Sequence, residues 1–471
     1  MLKKSLVLMS ISAAFFAQAQ DVSLIRNTVD VYSSSPMVGS AKFNAMAGAN
    51  GALGGDANSL LTNPAGLGVA ISGEVSATLS IMGNKNSATL GNQTIDYSKT
   101  RGDLGNVGGI IAFPLMTETK WKFINIGVNF SNQSLDNVVQ SPGNNNMIAD
   151  FADKSSYSLG GHQYSRFGNL SKMSFGVGAN YNHSFYIGAG LNFFNATVDQ
   201  GDIAAFNSLD NNSVRYFDKQ DSPYWERSSG FSASVGVIGK LSPNFRLGAS
   251  LETPTFWNID REFSFYDNPT YGNGIGTENR KFTSPLKATV SAAFVASKNF
   301  SLNVDYTLGL TKPDYKVYSG IESELNSFFK ENYKNMSEVR VGAEYRVQQL
   351  RLRGGYSYLS NPLDALTIPR FDSAGNVGDQ SYSNLMLSDR NLVSFGIGYD
   401  FKSFYIDASY QNISSKYSNP FMRGFRSDNF DTAYYSVDNS NKVTVFENDA
   451  YAVSEVKNNR NNFFITVGWK F

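Results

Sequence analysis

The feature that most constrains this chain is a period of two in its apolar residues, repeated in segment after segment. Val339, Val341, Ala343, Tyr345 and Val347 alternate with Glu338, Arg340, Glu344 and Arg346. After Gln348-Gln349, Leu350, Leu352, Tyr356 and Tyr358 alternate with Arg351, Arg353 and Ser357. Such alternation marks strands with one apolar face. A two-residue turn pairs Val347 with Leu350 and carries that face around the hairpin. A soluble sandwich would turn it inward and a membrane barrel outward, so one hairpin does not separate the two.

Repetition does. Fourteen segments read as strands, near 73–82, 107–115, 121–133, 172–181, 185–198, 229–241, 245–264, 283–296, 300–310, 337–347, 350–359, 391–401, 404–416 and 461–471. An even count suits a closed antiparallel barrel. Tight turns at Asn182-His183-Ser184, Ser242-Pro243-Asn244, Ser297-Lys298-Asn299, Gln348-Gln349 and Lys402-Ser403 alternate with far longer connections, the outer-membrane barrel pattern. Across these turns Tyr181 faces Phe185, Leu241 faces Phe245, Ala296 faces Phe300, and Phe401 faces Phe404. In the last segment Phe463, Ile465, Val467, Trp469 and Phe471 form one face, an ending that resembles the signal read by the barrel assembly machinery. The expected fold is all-β, a transmembrane antiparallel β-barrel of about 14 strands spanning 73–471.

The first residues read as a secretory signal over 1–19. Lys3 and Lys4 precede the apolar run Leu6 to Ala17, and Ala17-Gln18-Ala19 offers small residues for cleavage before Gln20. No Cys exists, so neither a lipid-bearing Cys nor a disulfide framework is available. Beyond the signal no apolar run is long enough for a spanning helix. Lys plus Arg and Asp plus Glu stand at 40 each, which gives no electrostatic basis for a nucleic-acid partner. Segment 20–72 lacks alternation and is rich in Gly and Ala, yet Phe43, Met46, Leu53, Leu60, Leu61 and Leu67 suit a compact plug inside the barrel.

The stretches Gly39 to Gly48, Gly51-Ala52-Leu53-Gly54-Gly55-Asp56 and Asn63-Pro64-Ala65-Gly66-Leu67 resemble the N-terminal hatch of the FadL family of outer-membrane transporters. Arg340 to Arg346 and Leu352 to Tyr358, followed by Asn361-Pro362, are similar to that family's late strands. The resemblance implies a fourteen-stranded barrel plugged by a hatch that includes Phe43, Asn63, Pro64, Ala65 and Gly66. It also implies passive uptake of long-chain fatty acids or other hydrophobic small molecules in the bacterial outer membrane, by a monomer that needs no cofactor. The family's ligands leave sideways near a kinked early strand, here about Trp121 to Gln133, but no proline or bulge signal marks that segment.

Two readings attach to the inward charges. The tight turn sets Glu344 against Arg353 and Arg346 against Arg351. Arg346 and Arg351 are candidates to receive a substrate carboxylate, while Glu344 and Arg353 suit a lumenal bracing network. Met147 and Phe151 in one loop, with Leu325, Phe328 and Phe329 on the helical phase of another, suit either a landing groove for greasy ligands or packing over the mouth. Asp372-Ser373-Ala374 and Asp431-Thr432-Ala433 are weak O-glycosylation patterns. Catalytic and metal sites are poorly supplied: His162 and His183 are the two histidines, without zinc spacing. No G-x-S-x-G elbow occurs. Besides transport, the fold suits a scaffold or cargo shuttle, as the resembling PorV-type components of secretion are, or an aqueous porin.

Overall fold

The structure, a computed structural model, describes residues 22–35, 37–116, 118–150, 155–211, 213–266, 273–426, 431–438 and 443–471. The signal at 1–19 and Phe151 lie outside them. Fourteen wall strands run antiparallel in chain order: β1 Glu74–Leu90, β2 Gln93–Pro114, β3 Trp121–Ser134, β4 Ser156–Tyr181, β5 Phe185–Ser208, β6 Tyr224–Lys240 and β7 Phe245–Glu252. The second half is β8 Lys287–Ser297, β9 Phe300–Gly309, β10 Ser337–Val347, β11 Leu350–Leu359, β12 Arg390–Asp400, β13 Phe404–Phe421 and β14 Ala452–Lys470. β14 pairs with β1 from Glu74↔Lys470 to Thr89↔Glu455, which closes the barrel and leaves no edge to satisfy in lipid.

Outward residues form an apolar belt: Leu79 is 64%, Val235 54%, Phe395 61% and Ile465 53% exposed. Their neighbours Ser80, Ser234, Ser394 and Thr466 are buried. So wide an apolar surface is stable only against hydrocarbon, and the charged face of the Glu338 to Leu359 hairpin therefore lines the lumen. The turn register follows the alternation, with Tyr181↔Phe185, Val347↔Leu350 and Glu344↔Arg353 paired as read. Asn182, His183, Gln348 and Lys402 adopt positive φ in these tight turns.

Several expectations need correction. Segment 245–264 is broken: Thr253-Pro254-Thr255 separates β7 from the strand Phe256–Tyr266, because proline has no N–H for the ladder. Pro285 likewise separates β8 from Asn273–Thr283. Phe300 pairs with Ser297 rather than Ala296, where a register shift absorbs one residue. The connection after β3 contains a strand, Asn137–Asp150, paired with β4. Many strands also run past the belt; β4 has 26 residues and β5 has 24.

Residues 22–72 thread the lumen. Helix α1 (Val22–Asn27) lies near the end bearing the long connections, where Arg26 bonds Asn419 and Asn27 bonds Tyr224. Further along, α2 (Ala41–Ala45) packs on β13, and its Ser40 cap keeps the first turn satisfied. The turn Pro64–Val69 sits against β4, β5 and β6 near the tight-turn end. Asp305 on β9 accepts the N–H groups of Asn50 at 2.9 Å and Gly51 at 3.1 Å, fastening the middle of this segment to the wall.

Candidate functional site

Above the hatch lies a cavity of about 230 Å³. One part of its lining is apolar, including Val29, Met37, Leu61, Leu251, Met336 and Leu392. Another part is cationic, with Lys172, Lys287, Arg340, Arg390 and Arg460 set beside the acids Asp30, Glu252 and Glu338. Most of these charges are paired: Lys172 reaches Glu252 at 3.1 Å, Arg390 lies 3.8 Å from Asp30, and Arg340 bonds Glu338. Arg460 makes no ion pair or side-chain hydrogen bond among the described residues. An apolar wall facing an unmatched guanidinium suits a ligand with a greasy body and an acidic head.

A second cavity, of about 100 Å³, shares Met37, Gln133, Arg340, Leu392, Ile413 and Arg460 with the first. It extends to Lys99 and Arg101 on β2 and to Asp136 beyond β3. There the wall is notched. β2 pairs with β1 from Gln93 to Ile110, but with β3 only from Asn106 to Pro114. The chain leaves the wall at the buried Leu135, and the strand Asn137–Asp150 passes behind, where β1's Asn86 bonds Asn137 and Val138. Gly105 supplies the bulge, since Thr78 faces Asn106 while Leu79 faces Leu104. Across the notch Asp136 meets Lys99 at 3.3 Å and Arg101 at 3.8 Å. The opening in the wall therefore has a polar latch.

No protein-family model matches the sequence, and comparison with curated proteins gives no match. Solved structures do match. A FadL homologue from Pseudomonas aeruginosa is 12% identical, with 93% of this chain and 99% of that one covered at a TM-score of 0.52. The toluene transporter TbuX of Ralstonia pickettii is 14% identical, with 92% and 99% covered at 0.51. The toluene transporter TodX of P. putida is 12% identical, with 92% and 99% covered at 0.53. The fold is that of FadL-type outer-membrane barrels.

Within this FadL-type barrel the hatch residues are locked by close contacts. Asn63 caps the turn after it, accepting from Ala65 N–H, and its Nδ2 donates to Gly51 O at 2.8 Å and to Val237 O at 3.1 Å. Pro64 follows at the first helical position, where its missing N–H has no cost. Ala65 packs on Tyr186 and Ile238, and Gly66 lies so close to Gly54 that a Cβ would approach its Cα to 2.8 Å. Phe43 is buried against Gly39 and Gly48.

The FadL-type lumen also separates the two arginine readings. Arg346 and Arg351 sit at the tight turn and line neither cavity described above. Arg346 contacts Glu344 at 2.5 Å, and Arg351 bonds Asp400, so carboxylates of the barrel itself neutralise the facing arginines. Arg353 bridges Glu344 at 2.6 Å and Asp407 at 2.7 Å, with all three side chains at least 96% buried. Leu325, Phe328 and Phe329 lie on helix α3 (Gly320–Asn332) and pack into a buried cluster with α1's Leu24 and Ile25. Met147 is buried in a second cluster with Phe206, Phe217 and Phe446. His183 occupies its tight turn, and His162 pairs with Asp202 at 2.8 Å.

Sequence reading missed Lys172, Lys287, Arg390 and Arg460 as cavity residues. Parity alone marks Arg460: it shares the inward side of β14 with Asn462 and Phe464, opposite the exposed Phe463 and Ile465. The segment read from sequence begins at Asn461, whereas β14 begins at Ala452 and so includes Arg460.

Proposed function

We propose that this barrel takes up hydrophobic small molecules carrying an acidic head, such as long-chain fatty acids, by passive diffusion through the hatch-plugged lumen. The carrying observation is Arg460, an unpaired guanidinium shared by the two connected cavities and facing an apolar wall. The similar solved structures include toluene transporters and a FadL homologue, which supports a hydrophobic ligand. The notch supports a sideways exit: a ligand leaving past Lys99, Arg101 and Asp136 enters the membrane without crossing the hatch. Outer-membrane lipid and, during biogenesis, the barrel assembly machinery complete the set of partners, and a monomer is sufficient for this route.

Oleate binding to the purified protein tests the head-group reading, with toluene as the neutral probe. A charge-assisted hydrogen bond is worth about 1.5–3 kcal/mol, so Arg460→Gln should weaken oleate binding by roughly 10- to 100-fold and leave toluene unchanged. Unaltered oleate affinity would sink the role of Arg460. Deletion in the native host that spares fatty-acid uptake but blocks export of a co-purifying protein would replace transport by the scaffold reading.

A further inference from the structure

A third, much smaller cavity of about 10 Å³ lies beyond Arg26, toward the end with the long connections. Its lining includes Arg26, His162, Lys219, Asn419 and Arg423, with Asp202 as the acid among them. Arg26 and Arg423 are 2% and 8% exposed, so both guanidinium groups are withdrawn from bulk water. Arg26 spends one nitrogen on Asn419 Oδ1 at 2.8 Å and lies over the Tyr164 ring, while Arg423 lies over Tyr451.

Four buried side-chain N–H donors of these lining residues lack a partner: Arg26 Nε, Asn419 Nδ2, and Arg423 Nε and Nη1; His162 Nδ1 is unpartnered too, but carries a hydrogen only in the imidazolium form. No buried side-chain oxygen of the lining is left unpartnered among the described residues. Asp202 is already engaged, with His162 at 2.8 Å and with the Tyr434 hydroxyl at 3.0 Å. It lies well beyond the apolar belt. Burial works to raise its carboxyl, but His162, Lys219 and Tyr434 outweigh burial and hold it at about 2. The local balance still favours cations, with three permanent positive charges against one negative.

Buried donors left without acceptors are destabilising, more so when they are charged. A water would present donors as well as acceptors to a site whose unpartnered side-chain groups are mostly donors. An anion presents acceptor capacity alone. The small volume favours a single monatomic anion over the bulkier phosphate, sulfate and carboxylates. We propose that this cavity binds a single monatomic anion, chloride in physiological salt, between Arg26 of the lumenal segment and Arg423 beyond β13. The ion ties the start of the lumenal segment to the extracellular cap.

Bromide replaces chloride chemically and scatters anomalously, so crystals of the mature protein grown in millimolar bromide should show an anomalous peak between Arg26 and Arg423. In solution, heat unfolding in detergent at constant ionic strength should show a saturable rise in Tm with chloride or bromide over gluconate. A gain of about 2 °C is expected for a site held at many times its Kd. Arg423→Gln should abolish both the peak and the gain, and Arg423→Lys should retain part of each. The unmodified protein is decisive by itself: a peak seen only at molar bromide, or identical Tm in chloride and gluconate, overturns the proposal. Equal stabilisation by formate would overturn the single-atom guest.

Discussion

Arg353→Ala should lower the stability of the barrel by roughly 3–5 kcal/mol, the range for removing one partner of a buried ionic group. Arg353 is 2% exposed and holds Glu344 at 2.6 Å and Asp407 at 2.7 Å, carboxylates that are themselves 4% and 3% exposed. Without the guanidinium, buried Asp407 loses its ion pair, and Glu344 keeps only Arg346 and Arg351 on the side of the tight turn. The site cannot relax by moving the strand. Asp407 packs against Gly398 so closely that a Cβ there would sit 1.7 Å from its Oδ1. Urea titration in lipid vesicles would show the effect as a lower midpoint at unchanged m. Neutralising the group with Arg353→Met, Glu344→Gln and Asp407→Asn together should restore much of the loss, since burial rather than charge then sets the energy. An unshifted midpoint for Arg353→Ala would remove this cluster from the list of what holds the barrel.

Opening the hatch is the second large effect. Gly188 on β5 lies against the Pro64 to Ala65 backbone: an added Cβ would stand 2.3 Å from Pro64 O and 2.6 Å from Ala65 N. Both obstructing atoms are main chain, so rotamer changes give no escape. Gly188→Val must push the turn Pro64–Val69 off the wall, at a cost of about 1–3 kcal/mol typical of overpacking. The displaced turn would pull on Asn63, whose amide joins Gly51 and Val237. Resolved openings in planar bilayers should appear for Gly188→Val and remain rare for the unmodified protein. Gly239→Ala, where the Cβ meets nothing within 4 Å, is the control. Silence from Gly188→Val in an otherwise folded barrel would mean that this contact does not hold the plug.

Where the wall meets lipid, the strands were legible from sequence because the bilayer enforces alternation one residue at a time. Phe463, Ile465 and Trp469 face out and Phe464 and Thr466 face in, with no reference to distant residues. The Glu344 to Arg353 pairing was legible for a related reason, since a two-residue turn transmits register along the hairpin. Beyond the belt that constraint disappears. Residues 156–171 and 452–460 are strand, but water on one side and a polar lumen on the other leave no apolar period to read. Arg460 sits in that zone and Lys172 and Arg390 stand at the borders of the alternating segments, which is why the cavity was harder to read than the bracing network. The notch is non-local in a stricter sense. The register shift within Trp121 to Gln133 lies between Trp121 and Phe123, away from the notch; the pairing ends because Gly105 bulges on its neighbour and Asn137–Asp150 is recruited by β4.

The seam between β1 and β14 bears on how such a molecule can be made. Gly73 and Phe471 exchange both backbone hydrogen bonds, at 2.8 and 3.0 Å, and the terminal ring lies over the glycine. Ala41 N–H also bonds Thr466 on β14 at 2.7 Å, so the lumenal segment is stitched to the same strand that shuts the cylinder. These contacts join residues separated by nearly the whole chain, and loop closure over such a span is slow. Assembly therefore has a favoured order. Residues 22–72 already lying among the incoming strands when the last one arrives would let the Ala41 to Thr466 bond form together with closure, without a later threading step.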